Sequence, residues 1–164
     1  MILPARASAA AAVGEVNVTT KMRECGALIG GEGNGGVIYP ALHYGRDAMV
    51  GVALFLTSLV RKGCKVSELR ASLPDYHIAK NRIELSDKAL IDRILSEMKT
   101  RFANEDVNDI DGVKIDFEAE RKWVHLRRSN TEPIIRIYAE APSEEEAQAL
   151  ACQIKSIAES IISR

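Results

Sequence analysis

Val113, Ile115 and Phe117 alternate with Lys114, Asp116 and Glu118, so one side of this stretch is apolar and the other charged. A period of two marks a strand buried on one face only, and such strands belong to antiparallel sheets with a solvated side. The apolar period changes to that of a helix on both flanks. Leu90, Ile91, Ile94, Leu95, Met98 and Phe102 recur at helical spacing behind Ser86, read as an N-cap. Leu150, Ala151, Ile154, Ile157, Ala158 and Ile161 form one stripe, opened by a capping box of Ser143 and Glu146. Tyr76 to Leu85 reads as a strand, Asp109-Ile110-Asp111-Gly112 as a turn, Trp123 to Arg127 as a hairpin partner and Ile134 to Ala141 as a third β-run. The order β-α-β-β-β-α predicts an α+β fold: an antiparallel sheet with two helices on one face, able to bury a core by itself.

The first part of the chain has a different grammar. Gly-rich turns separate short apolar runs, Ala27-Leu28-Ile29 and Val37-Ile38-Tyr39, expected to be strands around a tight loop. From Asp47 to about Arg61 a helix is expected, with Met49, Val52, Ala53, Leu56, Leu59 and Val60 on one broad face and Gly63 as its C-cap. A short helix from Ser67 to Leu73 ends before Pro74. This organisation divides the chain into a partial α/β domain over residues 1–63, a linker with a short helix over 64–74, and a complete domain over 75–164.

Bulk properties narrow the function. An apolar share of 46% and a charged share of 27% are those of a soluble globular protein. A formal net charge of -1 argues against a general nucleic-acid binder, whose affinity rests on surplus Lys and Arg. Trp123 beside the Arg127 region is a single aromatic among carboxylates such as Glu118 and Glu120, a poor stacking platform. Cys25, Cys64 and Cys152 are odd in number and far apart, which suits neither a disulfide framework nor a zinc site; they read as reduced thiols of a cytoplasmic protein. No apolar stretch approaches the roughly 20 residues of a membrane span, and Met1 to Val13 lacks the layout of a signal peptide.

Two loops carry chemistry. Arg127-Arg128-Ser129-Asn130-Thr131-Glu132-Pro133 offers guanidinium groups, hydroxyls, an amide and the N–H groups of a tight turn, the donor set that phosphate oxygens accept from. Strand alternation sends Arg127 and Arg128 to opposite faces, so one of them serves such a site. The same residues would also make a polar hairpin turn with two solvated arginines. The second loop, Gly30-Gly31-Glu32-Gly33-Asn34-Gly35-Gly36, satisfies the letters of a dinucleotide fingerprint, but Val37-Ile38-Tyr39 follows as a strand where that fingerprint must open a helix. What remains is a glycine hairpin whose Glu32 and Asn34 suit hydrogen bonding to vicinal sugar hydroxyls.

Taken together, the two loops resemble those of the α-D-phosphohexomutase family, which includes phosphoglucomutase, phosphomannomutase and phosphoglucosamine mutase. Arg127 to Pro133 resembles the family's C-terminal phosphate loop, R-x-S-[GN]-T-E-P. Gly31 to Gly36 resembles its sugar-specificity loop, G-E-x-[SN]-G, about 95 residues upstream. Val13 to Val18 and Gly45-Arg46-Asp47 resemble flanking stretches of bacterial and archaeal members. The resemblance covers nearly the whole chain, and with it the end of the third and all of the fourth of the family's four domains. It implies a parent enzyme, an intramolecular phosphotransferase that interconverts hexose 1-phosphate and hexose 6-phosphate through a hexose 1,6-bisphosphate. The reaction uses a phosphoserine and Mg²⁺ held by a D-x-D-x-D loop, both in the earlier domains. No T-x-S-H-N-P-like loop occurs here, and Asp109, Asp111 and Asp116 are not spaced as the metal loop.

The expectation is therefore a C-terminal fragment that is inactive alone, with no catalytic residue and no metal site of its own. Its partners would be the hexose phosphate and the N-terminal domains of the same protein, with no nucleic acid or membrane. By position, the resemblance assigns Arg127, Ser129, Asn130 and Thr131 to the non-transferring phosphate and Glu32 and Asn34 to ring hydroxyls. Arg128 stands at the variable place of the motif. His43 reads either as a cleft residue or as an ordinary surface histidine, His77 and His125 as structural, and Arg136 as a sheet-face residue adding positive potential. The alternative is a stand-alone, non-catalytic module that binds a phosphosugar.

Overall fold

A computed structural model describes residues 8–85, 87–129 and 132–163. Ser86, Asn130 and Thr131 lie outside the described residues, and with them the expected Ser86 cap. The chain divides into two compact units, Met1–Leu73 and Pro74–Arg164.

In the first unit, helix α1 (Glu15–Cys25) precedes strands β1 (Gly30–Gly31), β2 (Val37–Tyr39) and β3 (His43–Arg46), which form a small antiparallel sheet in that order. Helices α2 (Ala48–Lys62) and α3 (Val66–Ala71) follow. Helix α1 was not expected. Val16, Val18, Thr19 and Thr20 are β-branched and weaken the helical signal. Other features make up for it: Glu15 in the first turn and Arg23 in the last complement the dipole, and Gly26 closes the helix at φ 64°. β1 forms at the glycines rather than at Ala27-Leu28-Ile29, whose Leu28 and Ile29 are exposed. α2 begins where expected, with Asp47 Oδ1 accepting from the Val50 N–H and Gly63 at the C-cap. Its apolar face, however, contains no buried residue, and Met49 and Val60 are 76% and 81% exposed. α3 starts at Val66, one residue before the expected Ser67, with Lys65 as its N-cap and Glu68 Oε2 accepting from the Lys65 N–H.

The second unit runs β4 (His77–Glu84), α4 (Lys88–Arg101), β5 (Asp106–Asn108), β6 (Val113–Phe117), β7 (Lys122–Arg128), β8 (Ile134–Ala141) and α5 (Glu144–Ile162). The strands form one antiparallel sheet in the order β4-β8-β7-β6-β5. This is the expected sheet with one addition: β5, three residues long, is too short to show a period. Ile91, Ile94 and Met98 of α4 and Leu150, Ile154 and Ile161 of α5 pack with Ile115, Leu126, Ile135 and Ile137 into one core, leaving the other sheet face without helices. Asp87 caps α4 by accepting from the Ala89 N–H, and Ser143 caps α5 by accepting from the Glu146 N–H. Between β5 and β6, Gly112 has φ 84°, and a Cβ there would stand 2.2 Å from the Leu126 carbonyl oxygen. Only glycine lets the 109–112 turn lie this close to β7.

Candidate functional site

Strand alternation decides what each residue near the end of β7 faces. Val124 and Leu126 enter the core, whereas Trp123, His125 and Arg127 take the uncovered face of the sheet. Arg128 returns to the helix side and pairs with Asp92 of α4. The two arginines thus part to opposite faces, and Arg127 remains with the open one.

Arg127 is held from the side. Its Nε lies 2.9 Å from Asp111 Oδ2, with the two side chains 23% and 27% exposed. The pair is close, but the Nε–H is not aligned for a hydrogen bond. His125 Nε2 contacts the Asp111 carbonyl, and Lys99 Nζ binds Asp109 Oδ2 at 2.5 Å, so β7 and α4 both fix the turn that carries Asp111. The Asp109 carboxyl is held below its ordinary pKa chiefly by the hydrogen bond from Lys99 and then by that ammonium's charge.

The loop after β7 is closed by backbone. The Ser129 N–H donates to the Ile134 carbonyl at 3.0 Å, the Ile134 N–H to Glu132 at 2.8 Å, and the Leu85 N–H to Pro133 at 3.0 Å. Ser129 is buried at the root of this loop. Of the four residues expected to hold phosphate, Arg127 and Ser129 therefore lie together where β7 leads into the loop, and Asn130 and Thr131 fall outside the described residues.

Register adds two residues. Arg136 of β8 stands directly opposite Arg127, and Arg82 of β4 directly opposite Arg136, on the same uncovered face. Arg136 was expected on the sheet face. Arg82 was overlooked, although its alternation with Ile83 carries the signal. No sequence signal marks Asp111 as the partner of Arg127. At the opposite end of this face, Tyr76, Asp116, Trp123 and Glu140 line a shallow hollow, with the Trp123 Nε1–H donating to Glu140 Oε1 at 2.9 Å.

In the first unit, Glu32 and Asn34 share the β1–β2 turn. The Glu32 N–H donates to the Gly36 carbonyl at 3.2 Å, and Glu32 Oε1 accepts from the Gly14 N–H at 3.0 Å. Asn34 Oδ1 accepts from the Gly36 N–H at 3.1 Å, and its Nδ2 donates to Glu32 Oε2 at 3.5 Å. The two side chains point toward each other and also brace the loop. A Cβ at Gly31 would lie 2.2 Å from the Gly36 carbonyl oxygen, so the turn is this tight only with glycine. His43 is exposed: its Nδ1 accepts from the Gly45 N–H at 3.0 Å, which places the ring proton on Nε2, 3.0 Å from Asp47 Oδ2. That contact and the Val50 N–H hold the Asp47 carboxyl below its ordinary pKa, the backbone bond contributing most.

Asp109, Asp111 and Asp116 are spent on Lys99, Arg127 and Lys114 respectively. Among the described residues no three His, Cys, Asp or Glu side chains gather as metal ligands would. These residues do not fit the Mg²⁺ that the resemblance implies. No helix among them is long and apolar enough to cross a membrane.

Comparison with known proteins agrees with this layout. Residues 6–76 match the family model described as phosphoglucomutase/phosphomannomutase, alpha/beta/alpha domain III, and residues 81–157 match the C-terminal domain of the same family. A probable phosphoglucosamine mutase of Methanopyrus kandleri is 38% identical over 84% of this chain. A phosphoglucosamine/phosphogalactosamine mutase of Sulfurisphaera tokodaii is 37% identical over 90% of it. The chain spans 30% and 32% of these relatives' lengths. A crystal structure of a phosphoglucomutase/phosphomannomutase family protein from Burkholderia thailandensis superposes with a TM-score of 0.69, covering 91% of this chain and 31% of that one at 24% identity. With both family models matched over most of its length, the chain belongs to the phosphoglucomutase/phosphomannomutase family.

Proposed function

We propose that the chain supplies the substrate-gripping part of a hexose phosphomutase, with residues 1–63 belonging to the third domain and 75–164 forming the fourth. Arg127, Ser129, Asn130 and Thr131 hold the phosphate that is not being transferred, and Glu32 and Asn34 receive ring hydroxyls. The observation that carries this reading is the setting of Arg127. Its guanidinium is steadied at Nε by Asp111 on the sheet face without helices, beside a loop whose ends are joined by backbone hydrogen bonds, and little side-chain entropy remains to be lost on binding a phosphate. Arg136 across the strand adds a second positive charge at the same level. The turn of Glu32 and Asn34 offers a carboxylate and an amide on a backbone whose close approach of Gly31 to Gly36 only glycine allows.

Phosphoryl transfer asks for a nucleophile and charge neutralisation at the transferring group. The sequence has no nucleophile loop of the family's kind, so the chain's part is binding and orientation. The 164-residue chain is expected to bind a hexose 6-phosphate without turning it over in a coupled mutase assay. Arg127→Ala should weaken that binding about tenfold or more, the scale of a charge-assisted bidentate contact, with the amide spectrum otherwise unchanged. Wild-type affinity in Arg127→Ala would remove the assignment, and turnover by the chain would reveal a nucleophile of another kind.

A further inference from the structure

Helix α1 holds the β1–β2 turn from two sides. Its N-cap, Gly14, donates an N–H to Glu32 Oε1 at 3.0 Å, which fixes the start of the turn. The next residue, Glu15, holds Arg46 of β3: Glu15 Oε2 lies 2.8 Å from Arg46 Nε, and Oε1 accepts from the Arg46 N–H at 3.3 Å. The Arg46 stem in turn lies over Gly36, where a Cβ would stand 2.7 Å from Arg46 Cδ. Two successive residues at one helix terminus therefore grip both ends of the turn. With side chains 53% and 35% exposed, the Arg46–Glu15 pair contributes little energy in itself, and its effect is geometric.

The grip decides which atoms the turn leaves for a ligand. Gly14 occupies Glu32 Oε1, and the Gly36 N–H occupies Asn34 Oδ1. Glu32 Oε2 and Asn34 Nδ2 face each other at 3.5 Å, a contact long enough to yield to a ligand. One is an acceptor and the other a donor. Neighbouring hydroxyls of a sugar ring complement such a pair, since one donates to the carboxylate while the other accepts from the amide. Resting on the assignment of ring hydroxyls to Glu32 and Asn34, we propose that Glu15 and Arg46 are positioning residues that set this donor–acceptor pair. Neither has to touch the sugar. They order the turn before the ligand arrives, so less freedom is lost on binding.

The test titrates the 164-residue chain with methyl α-D-glucopyranoside and its monodeoxy analogues. These probes carry no phosphate, so the Arg127 loop does not enter the result. Amide shifts over residues 32–36 give affinity, and hydrogen exchange of the Gly14 and Gly36 amides without sugar gives the order of the turn. The wild-type chain should prefer the glucoside to the analogue lacking a bound hydroxyl by about tenfold, the scale of a hydrogen bond to a charged group. Glu15→Ala and Arg46→Ala should each lower that preference to about threefold or less, and speed exchange at both glycines at least about tenfold. The double variant should be no worse than either single change, because the two residues act as one unit. Lys21→Ala breaks an exposed ion pair with Glu24 on the same helix and should change neither reading. Equal loosening in Lys21→Ala, or additive losses in the double variant, would reveal general helix stability and overturn the proposal. Unchanged preference in Glu15→Ala and Arg46→Ala, with Glu32→Ala abolishing the sugar-induced shifts, overturns the positioning role alone. Sugar-induced shifts that survive Glu32→Ala, or none in the wild-type chain, overturn the hydroxyl assignment and the positioning role together.

Discussion

At the scale of single residues, the candidate phosphate site is positioned by groups that would never contact a ligand. Lys99 and His125 hold the turn, the turn carries Asp111, and Asp111 steadies Arg127. Asp109 offers a way to watch that chain of support. Its folded pKa lies below the ordinary 3.8, so the charged form stabilises the fold in full above that value. The contribution is lost as the pH falls through the lowered pKa. Asp109→Asn should therefore flatten the fall of stability below about pH 4, as read from thermal unfolding across an acid series. An unchanged slope would mean that the Lys99 contact does not persist in solution. Phosphate affinity at neutral pH should fall modestly in the same variant, because Arg127 loses part of its bracing.

At the scale of elements, what was legible in the sequence depended on how many residues shared a period. β4, β6, β7 and β8, with α4 and α5, each repeat a period several times, and all were readable. β1, β3 and β5 span two to four residues and offer no period to count. α1 was hidden because its β-branched residues speak for strand, while its caps and tertiary setting decide for helix. The motif loops were legible through the family they resemble, since their residue types alone left a polar hairpin turn equally open. Asp111 as the partner of Arg127, and Arg82 as the neighbour of Arg136, were not, because pairing across strands and turns is a long-range property. Caps can be tested directly. Ser143→Ala removes the acceptor for the Glu146 N–H, and should cost about 1 kcal/mol of unfolding free energy by denaturant titration. No measurable loss would indicate that the three glutamates of the first turn hold the α5 terminus without it.

At the scale of the whole chain, the two units differ in how they are held. The second has a continuous core in which two helices and four of the five strands share buried aliphatic side chains. In the first, Met22 and Ile38 are the buried apolar residues among those described, and α2 is apolar nearly all round yet buries none of its residues. Helices of that character are normally enclosed by neighbours. Hydrogen exchange should follow this difference: amides of β7, β8 and α5 are expected to exchange at least about a hundredfold more slowly than those of α2, as local opening requires fewer contacts to be lost. Equal protection would mean that α2 is covered in solution by something other than the described residues.

The register that lines up Arg127, Arg136 and Arg82 also bears on how the sheet avoids misfolding. Sliding any one of these strands by a single residue turns its entire side-chain set over. The slipped strand would push a guanidinium between the aliphatic side chains of α4 and α5, where an unpaired charge has no water and no partner. Each arginine thus acts as a veto on the neighbouring pairing. A chain that gathers its cations on one face gains, from the same three residues, a penalty against every odd-numbered slip between β4, β8 and β7.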